Sequence, residues 1–79
     1  MVFDTGNKNA EAQIVSEISA AIGANNLTRA YNLSNAALTR GVRHRIVFNA
    51  HGLALQSMGR HQEALADFEQ ALALSPNDP

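Results

Sequence analysis

Phe48-Asn49-Ala50-His51-Gly52-Leu53-Ala54-Leu55, followed by Gly59-Arg60-His61-Gln62-Glu63-Ala64, is the stretch that decides the fold of this 79-residue chain. Apolar and small residues recur here at three- and four-residue steps, which places them on one face of a helix. The spacing predicts a helix over about Arg43 to Met58, with Val47, Phe48, His51, Leu55 and Met58 turned inward. Gly59 closes it. A second helix runs from about His61 to Leu74, with Ala64, Leu65, Phe68, Ala71 and Leu72 as its core stripe. Ser75-Pro76-Asn77-Asp78-Pro79 ends that helix, because proline cannot continue one. Two helices joined by so short a turn must pack side by side and antiparallel. Gly52 and Ala64 are small enough to let them approach, and Phe48, Leu55 and Phe68 fill the space between.

Working outward, the same pattern appears upstream. Ile14, Val15, Ile18, Ala21 and Ile22 form one apolar stripe on a helix that starts near Asn9. Gly23-Ala24-Asn25-Asn26 stops it, since Gly and Asn tolerate the left-handed conformation and Asn also caps a following helix. The next helix spans about Leu27 to Arg40, with Leu27, Ala30, Tyr31, Ser34, Ala37 and Leu38 on one face, and Gly41 ends it. Met1 to Lys8 show no periodicity and read as a loose leader. Sliding the second half over the first by about 34 residues aligns the helices in order. Ala30 then falls on Ala64, Ala37-Leu38 on Ala71-Leu72, Asn25 on Gly59 and Leu27 on His61. The expectation is an all-α fold of two stacked antiparallel helical hairpins. Its organisation is a leader at 1–8 and a domain at 9–79, with hairpin 1 at about 9–41 and hairpin 2 at about 42–75.

The second copy, about 45–78, resembles the tetratricopeptide repeat. Phe48 to Leu55 occupies the aromatic-x-x-Leu-Gly-x-x-Tyr stretch of that pattern, and Ala64, Phe68 and Pro76 fall on its Ala, Phe and Pro. Gly59 to Ala64 is similar to the usual inter-helix turn, and Ala71 leaves room for a neighbouring hairpin. The first copy, about 11–44, is degenerate: Glu17 replaces the Leu, Ile18 the Gly, Ser34 the Phe and Val42 the Pro. Such departures fit a terminal repeat, one side of which faces water. The resemblance implies that partners bind on the concave face, built mostly by the first helix of each hairpin. The groove candidates it gives are Ala12, Val15, Ser19, Ile22, Ile46, Asn49, Leu53 and Gln56. They make a mixed aliphatic and amide surface suited to an extended or helical segment of a protein partner. Some family members grip a terminal carboxylate here with lysine and asparagine. This chain has Ala50 and Leu53 where those asparagines stand.

Composition bounds the alternatives. The formal net charge of −1 provides no global field for nucleic acid or an anionic membrane. The mean hydropathy is −0.16, and no apolar run reaches the roughly 20 residues that span a bilayer. The first residues lack a basic start and an apolar signal core, so a cytoplasmic location is expected. With no cysteine there is no disulfide framework.

Arg40-Gly41-Val42-Arg43-His44-Arg45 gathers half of the chain's Lys and Arg into one loop. Arg40 complements the negative end of the preceding helix. The loop has no interleaved aromatics and no wider basic stripe, so no nucleic-acid partner is expected. His44 and His51 lie two turns apart and His61 opens the next helix, spacings wider than zinc sites favour. His51 and His61 are read as partly buried, packed side chains, and no metal or cofactor is expected. No nucleophile elbow or glycine-rich phosphate loop is present. Glu63, Asp67 and Glu69 read as a solvated helix face, so no catalytic residue is assigned and the chain is not read as an enzyme.

The function expected is a protein-interaction scaffold. Ala66, Ala73 and Leu74 form an edge where a repeat array needs either another hairpin or a polar cap. The chain stops at Asn77-Asp78-Pro79, where a next repeat would begin, and this is read as the N-terminal part of a longer protein. The alternatives are an accessory region of a larger enzyme, such as a sulfotransferase-like or aspartyl/asparaginyl hydroxylase-like protein, and a self-associating bundle that forms a homodimer through the last helix.

Overall fold

Helix propensity is high along the whole chain, because alanine and leucine dominate its apolar set. The computed structural model describes the backbone of residues 3–74 and the side chains of residues 11–74. Four helices follow in order: α1 (Phe3–Gly23), α2 (Leu27–Thr39), α3 (Arg45–Ser57) and α4 (His61–Ala73). Each packs against the next, and α1 also packs against α3. Among the described helices α4 packs against α3 alone. The result is two hairpins, α1–α2 and α3–α4, stacked so that their first helices lie side by side.

The turns inside the two hairpins share one geometry. Asn25 and Gly59 both take positive φ, at 57° and 82°. Asn26 N–H donates to Ala21 O at 2.8 Å, and Arg60 N–H to Leu55 O at 2.9 Å. Asn25 N–H donates to Ile22 O at 2.9 Å, and Gly59 N–H to Gln56 O at 3.0 Å. Both pairs are the interlocked bonds of a Schellman-type helix end, which needs one left-handed residue. The offset found by sliding the halves therefore holds at the level of single backbone hydrogen bonds. Sequence divergence in the first copy leaves its backbone pattern intact.

Element boundaries differ from expectation by more than one residue at two places. Residues 3–8, expected as a loose leader, continue α1, while Met1 and Val2 lie outside the described residues. A helix nucleated by its packed turns extends at little cost per residue, even across Gly6 and Asn7. α3 starts at Arg45 rather than Arg43, because His44 is extended at φ −128° and ψ 144°. There its Nδ1 accepts from Ile46 N–H at 3.1 Å and caps the helix. Asn26 caps α2 through Oδ1, which accepts from Arg29 N–H at 3.2 Å. Ser75 to Pro79, read as the terminator of the last helix, lie outside the described residues.

The core runs through both hairpins. Ile18, Ala21, Ala30, Ala37, Val47 and Ala50 form one buried cluster, with Ile14, Ile22, Leu33, Leu38, Val42 and Ile46 packed around it. Phe48, Ala54, Leu55, Ala64 and Ala71 are buried as well. Ser34 is fully buried where the second copy has Phe68, and its hydroxyl donates to Tyr31 O at 3.1 Å.

Three residues assigned to the interior lie on the surface: Met58 at 48% exposure, Leu65 at 57% and Leu72 at 73%. Met58 is the C-cap of α3, one residue past the helix and off its stripe. Leu65 and Leu72 are two turns apart on α4, on an exposed side of the helix. Helical spacing cannot separate the face a helix turns to its own hairpin from a second apolar face beside it.

Candidate functional site

Stacking the hairpins brings α1 and α3 together, and the candidate surface follows from that contact. Ala12 is exposed and Val15 half-buried, and with Glu11 and His44 they line an open groove of about 460 Å³. Ile22 and Ile46 are half-buried and packed on the core, so each offers only part of its side chain. Asn49 is half-buried, whereas Ser19, Leu53 and Gln56 are exposed. Ile46, Asn49, Leu53 and Gln56 recur at helical spacing along one side of α3. Gln56 also borders a separate groove of about 300 Å³ with His61, Ala64, Leu65 and Phe68, so the row reaches the edge of the second hairpin. Nothing bridges Ser19 to Asn49 or Leu53 among the described contacts.

The helix pair carrying this row is held close by a missing side chain. Gly52 is buried, and a Cβ built on it would lie 2.7 Å from Cε1 of Phe68 and 3.0 Å from both Cδ1 and Cζ. The Phe68 ring thus lies against the backbone of α3. This contact ties the pattern's Gly to its Phe.

Those are the residues on which a family assignment turns. Residues 52–78 match the family model of the tetratricopeptide repeat. Over that stretch the chain is similar to a tetratricopeptide repeat. No curated protein and no solved structure matches the chain. The matched repeat starts at Gly52 and takes in α4. Upstream, the first hairpin repeats its turn geometry without being matched. Tetratricopeptide repeats are helical scaffolds for protein interaction, and they stack into arrays with extended concave surfaces.

Just ahead of the matched stretch, one position breaks the repeat pattern and recruits neighbours. His51 stands where an apolar residue is usual. Its Nδ1 lies 2.6 Å from Asp67 Oδ2 on α4, and both side chains are only 15% exposed. A carboxylate accepts, so Nδ1 carries the proton. The imidazole stacks on Tyr31 of α2, with ring centroids 5.1 Å apart and planes 17° from parallel. Its Nε2 is buried without a hydrogen-bond partner among the described residues.

This cluster revises two expectations. Glu63 and Glu69 are solvated as read, with Glu63 paired to Arg60 at 2.9 Å, but Asp67 is not part of that solvated face. His51 is packed as expected, whereas His61, the first residue of α4, is exposed. The missed signal was the histidine at an apolar repeat position, which calls for a polar partner on the facing helix. Among the described residues no three His, Asp or Glu side chains converge as metal ligands would.

The far edge of the repeat is more apolar than its alanines implied. Ala66 and Ala73 are exposed, but Leu74 is half-buried, and Leu65 and Leu72 supply the exposed bulk. No helix of the described residues is long and apolar enough to cross a membrane.

Proposed function

We propose that this chain is a non-catalytic interaction module that receives a protein or peptide segment along the face shared by α1 and α3. The observation that carries the reading is the open groove lined by Glu11, Ala12 and Val15 of α1 and by His44, the N-cap of α3. We assign Ile46, Asn49, Leu53 and Gln56 of α3, with Ser19 and Ile22 of α1, to the same binding face. Apolar patches beside amide groups suit an extended or helical segment, which gains from both burial and hydrogen bonding.

Selection of a random-peptide display library against the whole chain tests this. The selected peptides are expected to bind Ala12→Glu and Leu53→Glu variants about tenfold more weakly, a difference of about 1.4 kcal/mol. Both positions are exposed, so thermal melting should be nearly unchanged. Peptides that bind both variants as tightly as the parent chain would remove the groove as the site.

The exposure of Leu65 and Leu72 favours a second reading, a homodimer formed through α4. Sedimentation across a concentration series is then expected to show a dimer that Leu72→Glu dissociates. A monomer throughout the series would exclude it.

A further inference from the structure

In the first hairpin the groove between the two helices is filled. α3 packs on both α1 and α2 and so lies along that groove. Tyr31 stacks on His51 of α3, and Leu27 lines a pocket with Ala54 and Ser57 of α3. Ile22 and Leu38 pack on the cluster that contains Val47 and Ala50. Carried over by the offset between the hairpins, these four receiving residues become Leu65, His61, Gln56 and Leu72. The second hairpin shares the turn geometry of the first, so its two helices present the same kind of groove. That groove, lined by Gln56, His61, Ala64, Leu65 and Phe68, is open to about 300 Å³. Where Tyr31 and Leu38 are half-buried under α3, Leu65 is 57% and Leu72 73% exposed.

Charge selects the occupant. Glu69 stands one turn beyond Leu65 and one turn before Leu72, beside both on the helix surface. It is exposed, and the ion pairs among the described residues engage Asp67 and Glu63 instead. We propose that the groove between α3 and α4 receives an amphipathic helix of a partner protein. Its apolar stripe is spaced as Val47, His51 and Ala54 are on α3, and a Lys or Arg beside that stripe faces Glu69. A second copy of this chain supplies no such cation. An antiparallel α4 that sets Leu65 on Leu72 brings the two Glu69 side chains together at the two-fold axis. The face of α1 equivalent to the docking face of α3 carries Gln13 and Glu17, joined by a hydrogen bond of 3.3 Å, and so brings another carboxylate. This site is separate from the groove at Ala12 and Val15.

A display library of single helices tests this. Its stripe positions hold Ala, Val, Leu or Met, and its flanking positions are randomised among Lys, Arg, Glu, Gln and Ser. Helices selected on the whole chain are expected to be enriched in Lys and Arg over the unselected library. They should bind Leu65→Glu and Leu72→Glu variants about tenfold more weakly, as a buried leucine contact is lost. On Glu69→Lys their affinity should fall about threefold, the scale of one exposed ion pair, and selection on that variant should favour Glu at the flanks. All three positions are exposed, so the melting temperature of each variant serves as the folding control.

Helices that ignore Leu65 and Leu72 but lose affinity on Ala12→Glu would overturn this site and support the groove at α1. Helices that need both leucines yet show no basic enrichment and bind Glu69→Lys as before would overturn the cationic partner. A dimer in sedimentation that Leu72→Glu dissociates would put a second copy in the groove and overturn the partner helix. Failure to enrich any helix would overturn the proposal, and it would leave the random-peptide result at Ala12 untouched.

Discussion

Replacing Gly52 with leucine is expected to destabilise the chain by about 1–3 kcal/mol, the usual cost of overpacking a filled interior. Two effects compete. Glycine inside a helix is about 1 kcal/mol less favourable than a good helix former, so the substitution gains on propensity. Against that, even the first carbon of the new side chain would stand 2.7 Å from Phe68. Phe68 is half-buried between α3 and α4, so yielding means swinging its ring out of the hairpin or prising the helices apart. The steric term therefore wins. In a domain this small, each kcal/mol shifts the melting temperature by about 4–8 °C. A Gly52→Leu/Phe68→Ala variant separates the clash from any general intolerance: it should be more stable than the sum of the two single changes predicts. Unchanged melting of Gly52→Leu, followed by circular dichroism, would show that Phe68 does not lie on Gly52.

Asp67→Ala is the second large effect, expected to cost about 1.5–3 kcal/mol as a largely buried hydrogen bond to a charged group is lost. The imidazole of His51 already has one nitrogen without a partner, and removing Asp67 leaves the other bare in the same buried site. The ring cannot turn to water without giving up its stack on Tyr31. Replacing both members with leucine should recover much of the loss, because two apolar groups need no partner and position 51 is apolar in the repeat pattern. Urea unfolding of the four members of the cycle measures the coupling directly. A coupling near zero would show that the 2.6 Å contact contributes nothing to folding.

The hairpins and their register were legible because small residues carry backbone information. Gly59, Ala64 and Ala71 mark a turn and two close approaches, and their offset partners Asn25, Ala30 and Ala37 do the same work in the first copy. Glu17, Ile18 and Ser34 hide that copy from pattern matching, yet Ile18 and Ser34 still fill buried positions. What escaped was whatever depends on side chains meeting across helices. His51 and Asp67 are far apart in sequence, and nothing in the spacing of α4 distinguishes Asp67 from the solvated Glu63 and Glu69. Leu65 and Leu72 escaped for a related reason: one apolar stripe and two adjacent ones give nearly the same period. Ala12 and Val15 could be named from the repeat pattern, whereas the place of Glu11 and His44 beside them in one groove required the packing of the folded chain.

The stack of Tyr31 on His51 has an optical consequence. Tyr31 is the chain's single tyrosine, and there is no tryptophan to mask its emission. It sits on α2 against a ring carried by α3, so its fluorescence reports the seam between the hairpins rather than the helices themselves. Far-ultraviolet dichroism reads helix content wherever it lies. The two signals together distinguish a molecule that melts as one body from one whose hairpins part while each is still coiled, without attaching a dye.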